Sequence, residues 1–124
     1  MNQTLAIAAG GALGALLRFW VSSGVYAVLG RGFPYGTLAV NVLGSLAMGL
    51  LYILFIERLA LGAEWRAFFL VGLLGAFTTF STFSIETLTL IEQADYLKAT
   101  ANAVVSVVAC VGAALVGVML ARQL

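Results

Sequence analysis

Residues 78–84, Thr-Thr-Phe-Ser-Thr-Phe-Ser, put five hydroxyls and two phenyl rings into seven consecutive positions. Hydroxyls can donate hydrogen bonds, and the edge of a phenyl ring carries weak positive charge. The segment therefore offers neutral, weakly attractive partners to an anion. On a helix Phe80 and Phe83 lie about 60° apart around the axis and about 4.5 Å apart along it, a two-step ladder on one face. A simpler account is also open: rings in an apolar helix serve packing, and Ser and Thr often return their hydroxyls to a carbonyl three or four residues earlier. That covers any one of Thr78, Thr79, Ser81, Thr82 and Ser84, but covers five together less well.

Three further polar side chains stand out. Asn41 carries two N–H donors and a carbonyl, which can bond across helices or present N–H groups to a passing anion. Thr37, one helical turn before it, adds a second polar group to the same face. Glu86 is the only carboxylate deep in an apolar stretch, open to a role as proton relay, coupling site or arginine partner. Arg18 lies about 16 Å or more from either end of its own stretch, too far for snorkelling alone. Either the helix breaks near Ser22-Ser23-Gly24, or the guanidinium lines a wet cavity or pairs with backbone carbonyls or Glu86.

These groups are noteworthy because of their surroundings. The chain has 124 residues, is 63% hydrophobic and 9% charged, and has a mean hydropathy of +1.11, values expected of a membrane protein. A bilayer core needs roughly 20 apolar residues per helix. Four stretches qualify, from about Thr4 to Leu29, Gly36 to Ile56, Trp65 to Ile91 and Lys98 to Ala121. The expected fold is all-α, a single domain over residues 1–124 with short loops at Gly30 to Tyr35, Glu57 to Glu64 and Glu92 to Tyr96. No basic residue precedes the first apolar run and the run outlasts a signal-peptide core, so it is expected to stay in the mature protein. Trp65, Tyr35 and Tyr96 fall at span ends, where amphipathic rings favour the headgroup level.

Gly10 and Gly14, Ser45 and Gly49, Gly72 and Ala76, and Ala113 and Gly117 are spaced four apart, which lets helices approach closely in lipid. Gly75 precedes the hydroxyl run, where backbone can turn freely. Non-helical backbone at membrane depth is tolerated where it is buried in protein or lines water or an ion, and a break in the third span would free carbonyl oxygens able to coordinate a cation. Arg58, Arg66 and Arg122 fall on one side of the membrane and Arg31 and Lys98 on the other. Three against two is almost no topological bias, and predicts a chain that inserts both ways round and forms an antiparallel homodimer.

Much is excluded. Cys110 is the only cysteine and histidine is absent, so no intramolecular disulfide and no Cys- or His-based metal site is expected. There is no catalytic triad or phosphate-binding loop, so the chain is not expected to be an enzyme. A net charge of +1 leaves no nucleic-acid footprint.

Three motifs taken together, GGALGALLRF (Gly10 to Phe19), GTLAVNVLGS (Gly36 to Ser45) and GAFTTFSTFSIE (Gly75 to Glu86), resemble the Fluc-type, or CrcB, fluoride channel family along almost the whole chain. The resemblance implies an antiparallel dual-topology homodimer in the inner membrane, with two pores and passive, selective fluoride export that confers fluoride resistance. It implies that Asn41 donates an N–H to fluoride and that Phe80 and Phe83 line the pores with their ring edges, with Ser81, Thr82 and Thr37 as further pore residues and Arg18 near a vestibule. It also implies that carbonyls of Gly75 and Thr78 from both subunits hold one structural sodium ion. Two departures are visible. The family commonly reads Gly-Gly-Leu where this chain has Gly75-Ala76-Phe77, and the fourth-helix face runs Ser106, Cys110, Ala114 with fewer hydroxyls than usual. A rival reading is a small four-span proton-coupled multidrug transporter, which needs a carboxylate in its first span; Thr4 to Leu29 has none.

Overall fold

The computed structural model describes residues 2–124. Four helical spans cross a distance suited to a membrane, 27, 24, 30 and 28 residues long. We label them α1 (Gln3–Leu29), α2 (Tyr35–Arg58), the two halves of the third span α3 (residues 63–77) and α4 (Phe80–Glu92), and α5 (Tyr96–Gln123). The ends obey local chemistry. Asn2 caps α1 by accepting from Leu5 N at 2.8 Å, Gly30 ends it at φ 80°, and Asp95 caps α5 by accepting from Lys98 N. The connections fall where the sequence predicts them, although α2 runs on to Arg58 and α5 starts at Tyr96, two residues before the expected Lys98.

Two stretches are wound more loosely than an α-helix: Ile53–Arg58 at the end of α2 and Ala67–Leu73 within α3 are π-helical. The N–H of Leu59 bonds to Leu54 O at 2.7 Å, the five-residue step of that winding. Such windings are rare and rotate the following residues relative to a straight helix. The one in α3 comes immediately before Leu74–Phe77, the last turn before the break.

The break is real. Thr78 (φ −85°, ψ 157°) and Thr79 (φ −150°, ψ 115°) are extended between α3 and α4. The third span is thus two helices joined by two residues of strand-like backbone, as the sequence predicts.

Packing depends on glycine where the four-apart spacing places it. α1 lies against α3, and a methyl on Gly10 or Gly14 would run into the carbonyls of Phe68 and Leu73. α2 lies against α5, with Gly49 under the Ala114 carbonyl and Gly117 under the Leu46 carbonyl. The obstacles are backbone atoms, which cannot rotate aside. Gly117→Val is expected to destabilise the fold by about 1–3 kcal/mol or more, the range of overpacking, read as a lowered unfolding temperature in detergent. The buried apolar residues are mostly small or medium, including Ala6, Val40, Ala67, Ala99 and Ala121, while many large ones face outward. That inversion of the soluble pattern is expected when the outer solvent is itself apolar.

Candidate functional site

The break in the third span is held open by one side chain. Asn41, in α2, accepts from Thr79 N through Oδ1 at 2.7 Å and donates to Thr79 O through Nδ2 at 3.0 Å. Its amide thus stands in for the backbone of a neighbouring strand, satisfying both polar groups of the extended residue. The N–H that a continuous helix would return to the Gly75 carbonyl goes to Asn41 instead. Of the two uses the sequence left open for Asn41, bonding across helices is the one present. One N–H of its NH₂ group is engaged, and the other remains.

All five hydroxyls of the opening segment have partners. Thr78 Oγ1 donates to Leu74 O at 3.0 Å, and Ser84 Oγ to Phe80 O at 2.9 Å. Thr79 starts α4 as its cap: Oγ1 accepts from Thr82 N at 3.2 Å and donates to Thr82 Oγ1 at 3.0 Å, with Ser81 Oγ at 3.4 Å. Local pairing therefore accounts for the hydroxyls, and their combined effect is to stabilise a helix stop and a helix start back to back. Thr79, 8% exposed, is the member of the set with the most structural work. Its sequence signal was a Thr three residues before Thr82, ahead of an apolar run.

Alongside the break lies an open cavity of about 410 Å³, lined by Asn41, Phe80 and Phe83 together with Ser106, Cys110 and Ala114 of α5. The three α5 residues are the face that the family resemblance singled out. The two rings lie 5.2 Å apart at 39° to each other, a tilted pair with its edges available. Phe80 is 77% exposed in the single chain, so one wall of the cavity is missing. Ser81, Thr82 and Thr37 do not line this space.

Thr37 belongs to a different group. Tyr26 OH donates to Glu86 Oε2 at 2.7 Å and lies 3.4 Å from Thr37 Oγ1. Glu86 is therefore the partner of Tyr26 and not of Arg18, and its other oxygen, Oε1, is buried without a protein partner. A second cavity of about 230 Å³ opens here, with Tyr26, Arg31, Glu86 and Gln93 on its walls, and the Arg31 guanidinium sits 4.4 Å above the Tyr26 ring. The helix does not break near Ser22-Ser23-Gly24, since α1 runs unbroken from Gln3 to Leu29; among the described residues no hydrogen bond or ion pair holds the Arg18 side chain, and Arg18 lines neither cavity.

Sequence reasoning missed Tyr26 and Asn102. Tyr26 reads as an ordinary interfacial aromatic until Glu86 is seen beside it. Asn102 is 2% exposed, donates to Thr87 Oγ1 at 2.9 Å and accepts from Ser106 Oγ at 3.3 Å. A signal existed: an amide six residues into the fourth span is as costly to leave unpaired as Asn41.

The combination of a broken third span, an amide clasp and a phenylalanine pair is matched by sequence. Residues 5–118 match the family model described as "CrcB-like protein, Camphor Resistance (CrcB)". The chain belongs to the CrcB-like family. Among relatives of this CrcB-like chain, a Methylococcus capsulatus protein named "Fluoride-specific ion channel FluC" is 60% identical over 125 residues. That alignment covers 100% of this chain and 55% of the relative, so the chain spans about half the length of that protein. Proteins of the same name from Magnetococcus marinus and Shewanella amazonensis are each 52% identical, over 116 and 110 residues, and are covered over 94% and 88% of their own lengths. With four apolar spans and this membership, the CrcB-like chain is a multi-pass integral membrane protein.

Proposed function

We propose that this chain is a fluoride-selective channel of the inner membrane that lets fluoride leave the cell passively, without an enzymatic step. The observation that carries the reading is the cavity in which the Asn41 amide, the Phe80 and Phe83 rings and a small-residue face of α5 converge. Relatives named as fluoride-specific channels supply the ion. Taking a small, strongly hydrated anion out of water is costly, so a pore must replace the lost donors without trapping the ion. A free amide N–H and ring edges are weak and neutral, which suits passage better than a fixed cation at the narrowest point.

The working unit in this proposal is an antiparallel homodimer with two pores. Support comes from the exposed Phe80 ring and from Gly75, whose backbone is also exposed in the single chain. Gly75 is still helical, but its carbonyl has no helical donor because Thr79 N turns to Asn41; a polar group left so at membrane depth needs a partner, and a second copy set against the break would supply it. The Gly75 and Thr78 carbonyls fit a sodium ion there. Gly75 O has lost its helical donor to Asn41, Thr78 is extended, and carbonyls are the hard oxygen donors that alkali and alkaline-earth cations take. Bound sodium would neutralise those dipoles and tie two copies together. In this scheme Arg18 faces a vestibule, while Ser81, Thr82 and Thr37 contribute to the pore through the groups they position.

Reconstitution in liposomes tests the reading, with fluoride efflux followed by an ion electrode beside chloride. Rapid fluoride efflux with far slower chloride efflux is expected; no fluoride flux, or equal chloride flux, defeats the proposal. Preparing the protein without sodium is expected to weaken activity or assembly, and full activity in strictly sodium-free buffer would remove the ion from the scheme. Reporters on the C-terminus that work on one side of the membrane should read both sides about equally; a strong preference for one side would refute dual topology.

A further inference from the structure

The polar chain on α5 has a direction that can be assigned from its hydrogen bonds. Thr87 Oγ1 donates its only proton to Phe83 O at 2.8 Å. It must therefore accept from Asn102, and the Asn102 NH₂ group lies 2.9 Å away. That orients the amide, leaving Oδ1 toward Ser106 at 3.3 Å. A carbonyl oxygen accepts and never donates, so the Ser106 proton points at Asn102. Ser106 is 7% exposed and still borders the cavity of Asn41, Phe80 and Phe83. Toward that cavity it presents oxygen lone pairs, which repel an anion.

We propose that Asn102 is a specificity-determining positioning residue, a reading that rests on the fluoride-channel proposal above. Asn102 holds the Ser106 proton back from the pore. An anion gains that proton only by drawing the hydroxyl away from Asn102 Oδ1 and leaving a buried carbonyl unpaired, at the cost of a hydrogen bond. Fluoride, small and a strong acceptor, offsets that cost; chloride, larger and a weaker acceptor, does not. The side chain thereby converts hydrogen-bond basicity into selectivity without touching the ion.

The test is a double-mutant cycle on the full-length chain in liposomes loaded with potassium fluoride or potassium chloride. Asn102→Leu frees the hydroxyl for either ion and is expected to raise chloride efflux, lowering the fluoride-to-chloride ratio roughly fivefold, the worth of about one neutral hydrogen bond. Ser106→Ala is expected to lower the ratio similarly, but through slower fluoride efflux. Asn102→Leu added to Ser106→Ala is expected to change the ratio no further, since residues acting through one contact are not additive. A merely structural Asn102 would slow both ions together. An unchanged ratio in either single variant, or losses that multiply in the double variant, overturns the proposal. Should Asn102→Leu not fold, the smaller Asn102→Ala, which also removes Oδ1 from Ser106, is read in its place with the same expected fall in the ratio. Wild-type protein without fluoride flux would instead sink the channel reading.

Discussion

Phe83→Ile and Phe80→Ile are each expected to cut fluoride efflux by about tenfold or more while the protein still folds and assembles. Phe83 and Phe80 face one cavity with centroids 5.2 Å apart, so an ion taking the proposed path would meet both rings. Isoleucine keeps an apolar surface but has no quadrupole, and the edge that could face an anion with positive charge is gone. If the proposed pore strips water from the ion there, water would not make up the loss. A tenfold change needs only about 1.4 kcal/mol in barrier height, within the range such ring contacts supply. The stability cost is small for Phe80, because its ring is 77% exposed in the single chain and supports no core of its own. Efflux from liposomes, read beside size-exclusion profiles in detergent, separates the two effects. Wild-type flux in both variants would remove the rings from the mechanism.

The second large effect belongs to Asn41. Leucine there has nearly the same volume, but it strips partners from both Thr79 N and Thr79 O. Each buried polar group left unpaired costs about 1–3 kcal/mol, so Asn41→Leu is expected to destabilise by roughly 2–6 kcal/mol and to abolish flux. Asn41→Asp probes the same position with charge. It keeps an acceptor for Thr79 N but sets a carboxylate oxygen against Thr79 O, where Asn41 had donated, and replaces the NH₂ group with negative charge. Two opposed acceptors and a buried charge are both costly, so it is expected to lower stability as well and to conduct almost no fluoride. Thermal unfolding and efflux measured on the same preparations check this. Asn41→Asp with wild-type flux would show that the free N–H does not meet the ion.

What the sequence could convey about this chain follows from how strongly each solvent penalises error. A charged or unpaired group in hydrocarbon is so costly that four apolar runs could be delimited to within a few residues. The same penalty singled out Asn41, Glu86 and residues 78–84 as places needing an explanation. Glycines spaced four apart announced close helix contacts because only a missing side chain permits backbone to touch backbone, as at Gly14 and Gly117. The Ser106, Cys110, Ala114 face was singled out by the family resemblance, and it does line the cavity.

Pairing was not legible, because a hydrogen bond depends on distance between elements far apart in the chain. Nothing local says that Asn41 clasps Thr79, 38 residues away, or that Glu86 meets Tyr26 and leaves Arg18 unpaired among the described residues. Nor could spacing show that Asn41 lines the cavity beside the break while Thr37, one turn away, meets the Tyr26 hydroxyl instead. The π-helical windings in α2 and α3 were invisible too, since they answer to packing and leave no mark in residue type. By itself, then, the sequence determined the membrane, the four spans, the break and the family resemblance, all set by which solvent each residue can tolerate. The tertiary structure alone decided that the hydroxyls of residues 78–84 are spent on local pairing at the break and in α4, and that the Asn41 amide and the two rings meet in one cavity beside it.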